Sequence, residues 1–176
     1  MTGDALVQRA LRIRLLTCDV DGVLTDGSIY VGDDGRETKA FNALDGVGIR
    51  MLMRAGVTVA WITGSNAPSV THRARGLGVD RIVLGAEDKL TPWESLRGEL
   101  GLAPSACAHI GDDLPDVPVF ARCGFAVAVP HAPPFVRTQA HYVTERDGGR
   151  GAVRELCEMI LAAQGALDPQ HAAFGA

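Results

Sequence analysis

The sequence predicts an α/β fold built on a doubly wound parallel sheet, with one β-hairpin inserted near its start. Two observations carry this. Short apolar runs alternate along the chain with longer segments of helical character, the pattern of strand–helix–strand units. The runs are also too continuously apolar for one face to meet water, so both faces are expected to be covered. Right-handed crossovers then place the C-terminal ends of the strands along one edge.

In chain order, IRLLTCDV (13–20) reads as the first strand. The segment SIYVGDDGRETKAF (28–41) follows, with two short β-prone runs around Gly32-Asp33-Asp34-Gly35. This is a hairpin signal and breaks the alternation, so residues 27–41 are read as an insertion. A helix is expected from Gly46 to Arg54, then the strand VTVAWIT (57–63), a helix from Pro68 to Gly76, and the strand RIVLG (81–85). A helix from Leu90 to Leu100 leads to CAHIGD (107–112), a helix from Pro115 to Arg122 to FAVAVP (125–130), and a last helix spans Gly151 to Gln164. Residues 1–164 thus form a single domain. Residues 165–176, which mix Pro, Gly and Ala without a period, read as a flexible C-terminal tail.

The chain of 176 residues is 47% apolar, enough for one well-packed core and against widespread disorder. Its net charge of −4 offers no electrostatic attraction for nucleic acid. No apolar stretch is long enough to span a membrane, and the first residues lack a signal-peptide core. Cys18, Cys107, Cys123 and Cys157 lie scattered, without paired metal-ligand spacing, and are read as reduced thiols of a cytoplasmic protein.

The stretch CDVDGVLTDG crowds Asp19, Asp21 and Asp26 behind a buried strand. Like charges at that density repel, and burying them unpaired costs several kcal/mol in order of magnitude. Three further polar features fall where later strands end: Thr63-Gly64-Ser65, Lys89 a few residues beyond the third strand, and Gly111-Asp112-Asp113. All four converge on the ligand-binding edge of an open sheet. Asp19, Asp21 and Asp112 offer hard oxygen ligands that suit Mg²⁺. Thr63 and Lys89 offer a hydroxyl and a cation that suit phosphate. A cation together with a phosphorylated substrate accounts for the clustered carboxylates.

DVDGVLTDG, ITG, Lys89 and GDDLPD resemble, in order, the four motifs of the haloacid dehalogenase (HAD) superfamily. The resemblance implies a HAD-like Rossmannoid fold and a role for each matching residue. Asp19 would be the nucleophile that becomes an aspartyl-phosphate. Asp21 would protonate the leaving oxygen and then activate water. Mg²⁺ would be held by Asp19, the main-chain carbonyl of Asp21, and Asp112, with Asp113 and Asp116 supporting from behind. Thr63 and Lys89 would hold the phosphoryl oxygens. Taken alone, Asp26 is ambiguous between this site and a turn. Asp33 and Asp34 read as turn residues, His109 as a packed core residue, and Trp61 and Trp93 as packing groups. Between the first and third motifs there is room only for the hairpin and ordinary elements, so no cap domain is expected.

KAFNALDGVGIRML, GDDLPDVPVF and GGRGAVREL further resemble the 3-deoxy-D-manno-octulosonate 8-phosphate (KDO-8-P) phosphatases. That likeness implies a capless, Mg²⁺-dependent enzyme of lipopolysaccharide precursor synthesis, assembled as a homotetramer through its hairpin. Substrate contacts would map to Asn42, Ala43, Leu44, Asp45, Gly46, Arg50, Ser65 and Arg73, with Arg150 reaching in from a neighbouring subunit. Ser65 and Leu44 stand where this family commonly has basic residues. The alternatives are a 2-keto-3-deoxynonulosonate (KDN) 9-phosphate phosphatase, another small sugar-phosphate phosphatase, and a receiver-like phospho-signalling domain. The last lacks an acid/base two residues after its nucleophile, where this chain has Asp21.

Overall fold

A computed structural model describes residues 3–172. Helix α1 (Gly3–Leu11) precedes strand β1 (Leu15–Cys18), the hairpin strands β2 (Tyr30–Val31) and β3 (Glu37–Thr38), and helix α2 (Ala43–Arg54). Then come β4 (Thr58–Ile62), α3 (Pro68–Leu77), β5 (Arg81–Val83), α4 (Leu90–Glu99) and β6 (Cys107–Gly111). The chain ends with α5 (Val117–Phe120), β7 (Phe125–Ala128), α6 (Pro134–Gln139), β8 (Tyr142–Val143), α7 (Ala152–Ala163) and α8 (Leu167–Ala172).

Six strands form one sheet in the order β5-β4-β1-β6-β7-β8, and every neighbouring pair is parallel. From β1 the chain winds outward through β4 and β5, then returns across β1 to build β6, β7 and β8. The winding direction therefore reverses between β1 and β6, the place where open α/β sheets bind ligands. Strands β1, β6 and β7 are buried along their whole length, because helices cover both faces. The largest buried side chains include Trp61, Trp93 and Phe125. Phe41, at the hairpin's return, stacks on Trp61 with ring centroids 5.9 Å apart, which anchors the insertion to the core.

Four elements were not legible in the sequence. Helix α1 is tied down at long range, since Gln164 Nε2 donates to Ala10 O at 3.3 Å and to Ile13 O, just beyond the helix, at 2.9 Å. Strand β8 has two residues and exists only by pairing with β7. Helix α6 is six residues long. Helix α8 occupies part of the segment expected to be a tail, and residues 173–176 of that segment lie outside the described residues. The expected helix 115–122 is instead a 3₁₀ turn (Leu114–Asp116) followed by α5. The turn tightens because Asp113 and Asp116 form a capping box.

The hairpin pairs Tyr30 with Thr38 and Val31 with Glu37. Its apolar residues are open, with Ile29 68%, Tyr30 52% and Val31 63% exposed. No helix among the described residues is long and apolar enough to cross a membrane. All four cysteines are free and buried.

Candidate active site

The acidic cluster sits at the reversal between β1 and β6. Asp19 follows β1, and its N–H continues the ladder to Ile110 O at 3.0 Å. The chain then coils tightly, with the N–H groups of Val23, Leu24 and Thr25 all directed at Val20 O. Gly22 lies inside this coil at φ 81°, and a Cβ there would stand 2.0 Å from Asp112 Oδ2. Only glycine lets the Asp112 carboxylate, delivered by β6, lie against the backbone of the first loop. Thr63 directly follows β4, and its Oγ1 accepts the Ser65 N–H at 3.1 Å. Lys89 enters from the start of α4.

Lys89 is 5% exposed. Its Nζ lies 2.9 Å from Asp19 Oδ1 and 2.7 Å from Asp116 Oδ1. Burial opposes the Lys89 charge, but Asp19 and Asp116 outweigh it and hold the ammonium above its ordinary pKa. Asp116 is wholly buried. Burial pushes its carboxyl up, yet His109 and Lys89 prevail and hold it at about 2. Asp19 goes the other way: burial and the Asp116 charge push it well up against the pull of Lys89. Asp112 rises to about 6, mainly by burial, against lowering contributions from its Asp19 hydrogen bond and Lys89.

One lysine thus faces three carboxylates. Asp19, Asp112 and Asp116 can each bring an oxygen within 4.8 Å of the others. The oxygens of Asp116 are already engaged: Oδ1 by Lys89 and His109, Oδ2 by the N–H groups of Asp112 and Asp113 at 3.1 and 3.3 Å. The carboxylate oxygens left for a ligand are therefore those of Asp19 and Asp112, and a hard divalent cation fits them.

Above these residues opens a cleft of roughly 590 Å³. Asp19, Asp21, Thr63, Lys89, Asp112 and Asp113 all line it, as does Ser65. The same wall carries residues that sequence reasoning missed. Lys39 is the chief one: its side chain is 3% exposed, with Nζ 2.5 Å from Asp21 Oδ1 and 3.5 Å from Glu37 Oε2. Its placement depends on how the hairpin folds back, which local sequence does not encode. Asp113 caps the 3₁₀ turn by accepting the Leu114 N–H at 2.8 Å.

The remaining substrate-contact positions do not line the cleft of their own chain, and most of their polar groups have other partners. Asn42 caps α2 through the Leu44 N–H at 2.8 Å and donates from Nδ2 to Gly149 O at 3.1 Å. Asp45 is 1% exposed and accepts the Arg154 N–H at 2.8 Å. It thereby caps α7, which has no side-chain cap of its own at Gly151. Ala43 and Leu44 are exposed on the first turn of α2, and Gly46 is buried. Arg50 binds Gly76 O at 2.7 Å, and Arg73 binds Asn42 O at 3.3 Å.

Gly148 explains where the Arg150 segment lies. A Cβ at Gly148 would stand 1.8 Å from Gly22 O, and the Gly149 N–H bonds Val23 O at 2.9 Å. The GGRG stretch is thus laid over the loop that follows β1. Arg150 itself is outside the cleft of its own chain, its side chain 71% exposed and 3.6 Å from Asp26. Asp26 shapes the turn beneath it by accepting the Ser28 N–H at 3.0 Å.

Comparison with known proteins adds to this geometry. Residues 46–124 match the family of haloacid dehalogenase-like hydrolases. The chain is 50% identical to a 3-deoxy-D-manno-octulosonate 8-phosphate phosphatase KdsC of Yersinia pestis, over 94% of this chain and 88% of that one. It is 47% identical to the KdsC of Escherichia coli K12, over 93% and 87%. Among solved structures it resembles the 3-deoxy-D-manno-octulosonate 8-phosphate phosphatase of Moraxella catarrhalis in complex with magnesium ion, phosphate ion and KDO. That likeness has a TM-score of 0.96 and 43% identity, covering 98% of this chain and 99% of the other.

Proposed function

The chain belongs to the 3-deoxy-D-manno-octulosonate 8-phosphate phosphatases, within the haloacid dehalogenase-like hydrolases, and from that premise we propose that it hydrolyses KDO-8-P through Asp19. The observation that carries the reading is the Lys89 ammonium held 2.9 Å from Asp19 at the sheet's reversal point, beneath an open cleft. In the first step an Asp19 oxygen bonds to phosphorus as the bond to the sugar O8 breaks, and Asp21 gives its proton to O8. In the second step Asp21 takes a proton from water, whose oxygen bonds to phosphorus and releases Asp19. Lys89 and Thr63 offset charge on the phosphoryl oxygens in both steps. The cofactor is Mg²⁺, which Asp19, Asp112 and the main-chain carbonyl of Asp21 would hold; when bound, it would neutralise the clustered carboxylates and polarise the phosphoryl group.

The test is phosphate release with Mg²⁺ from KDO-8-P and from KDN-9-P. KDO-8-P is expected to show the higher kcat/KM, and a preference for the nine-carbon acid would sink the substrate assignment. Metal binding should depend on pH, because a proton competes for Asp112. With its carboxyl raised to about 6, Asp112 is free for the cation above that pH. Below it, affinity for Mg²⁺ should fall by at least about tenfold per pH unit, because the Asp19 carboxyl is pushed up as well. Calorimetric titrations that stay flat from pH 5 to 8 would remove Asp112 from the metal set.

The exposed Ile29, Tyr30 and Val31 support packing of the hairpin against its copies in a homotetramer. Sedimentation velocity at micromolar concentration should show a tetramer, and a monomer would refute the assembly. In that assembly Arg150 is proposed to reach a neighbour's cleft and meet the sugar carboxylate. Arg150→Ala is expected to lower kcat/KM on KDO-8-P by about 1–3 kcal/mol, the scale of a charged hydrogen bond. Hydrolysis of a small aryl phosphate should barely change, and equal losses on both would assign Arg150 to the fold. We place the enzyme in the cytoplasm, a reading supported by its four free, buried cysteines.

A further inference from the structure

His109 is a buried ionisable side chain that the reaction above does not use. It lies in the middle of β6 with no exposed surface, opposite Thr17 of β1 in the sheet register. A histidine serving only as filler would leave buried ring nitrogens without hydrogen-bond partners, which is unfavourable. Here both are engaged. Nδ1 lies 2.8 Å from Thr17 Oγ1, and Nε2 lies 2.8 Å from Asp116 Oδ1. The Phe120 ring meets the imidazole edge-on at 5.8 Å and fixes its plane. Asp116 already accepts from Lys89 at Oδ1 and from two backbone N–H groups at Oδ2, so it is the acceptor and Nε2 is the nitrogen that carries a proton toward it, whichever way the Thr17 hydroxyl turns.

The bond matters because of what Asp116 does next. Its Oδ1 also receives Lys89, and its Oδ2 receives the N–H groups of Asp112 and Asp113. Lys89 goes on to Asp19. One carboxylate rotamer therefore sets the place of the phosphate-binding ammonium and of the loop that delivers Asp112. Of its side-chain donors, His109 alone sits on a central strand, clamped from two sides. Lys89 is a flexible donor with three rotatable N–H groups.

We propose that His109 is a positioning residue for phosphoryl transfer, whose Nε2–H locks Asp116 and through it Lys89 and the Asp112–Asp113 backbone. The inference rests on the phosphatase reading, and goes beyond it by giving the reaction a structural determinant in the sheet interior. The test compares three variants. His109→Gln places an amide N–H near the position of Nε2, whereas His109→Asn reaches only as far as Nδ1. His109→Phe fills the space without a donor.

In the full-length enzyme, H109Q is expected to keep kcat within about threefold of wild type. H109N and H109F should lose about 10–100-fold in kcat, the usual scale for supports of a metal site, with KM for KDO-8-P little changed. Calorimetry with Mg²⁺ alone should show affinity weakened about tenfold in H109N and H109F and preserved in H109Q. This readout stands even if KDO-8-P proves to be the wrong substrate. Equal behaviour of H109Q and H109N in kcat and Mg²⁺ affinity would overturn the proposal, as would wild-type values in H109F. Should H109F fail to fold, the Gln and Asn pair still decides.

Discussion

Asp19→Asn is expected to lower KDO-8-P turnover by at least about 10⁴-fold, the order of loss when an enzyme's nucleophile is removed. A carboxamide cannot form the acyl phosphate, and no other carboxylate can replace it. Asp116 is spent on Lys89, His109 and two backbone N–H groups, and Asp112 is held against Gly22. The protein should nevertheless stay folded. The asparagine Oδ1 still accepts from Lys89, and Lys89 retains Asp116 at 2.7 Å. Burial already disfavours the charged form of Asp19, so replacing it with a neutral amide should not destabilise the chain. Phosphate release in a single-turnover assay, paired with a urea melt, measures both halves. Wild-type-like rates from a pure, folded sample would end the assignment of Asp19 as nucleophile.

The second large effect is on stability. Asp116→Ala removes the only carboxylate among the described residues that bonds both His109 and Lys89, leaving two buried groups to find other partners. Breaking a buried ion pair from one side costs about 3–5 kcal/mol, a large part of the roughly 5–15 kcal/mol that holds a domain together. The lower end is expected here, because Lys89 keeps Asp19. The urea midpoint should fall with the slope unchanged, and a loss under about 1 kcal/mol would mean the array is loosely held. The same carboxylate gives a pH signature. Its folded pKa of about 2 lies below the ordinary 3.8, so the unfolded chain takes up the proton first. The contribution, about 2 kcal/mol, is complete above roughly pH 4 and disappears as the pH falls through 2. Asp116→Ala should flatten that part of the acid unfolding curve.

Much of the proposed catalytic set was legible because its chemistry is written in short, local words. A run such as IRLLTC must be a covered strand, and carboxylates straight after it must lie at a strand end. The same reasoning placed Thr63, Lys89 and Asp112, since strand periodicity and the parallel crossover rule alone bring those ends to one edge. The four-motif order then assigned roles that spacing could not. Where local sequence was silent, the decisive contacts were long-range. Asp45 and Asn42 sit in a segment that resembles a substrate loop, yet both are engaged in capping and tethering α2, α7 and the GGRG stretch.

What the sequence determined by itself, then, was the parallel sheet, the hairpin insertion and the convergence of Asp19, Asp21, Thr63, Lys89 and Asp112, because each follows from local periodicity and composition. Tertiary structure alone decided what those groups feel and what stands behind them. His109 reads as an apolar-strand residue until β1 and β6 pair and Asp116 folds back beneath it. Lys39 is eighteen residues from Asp21 along the chain until the hairpin returns it to that carboxylate. Gly22 and Gly148 are ordinary loop glycines until Asp112 and the first loop occupy the space a side chain would need. Charge balance and close approach are sums over residues distant in sequence, and only the folded chain brings those residues within the few ångströms over which such forces act.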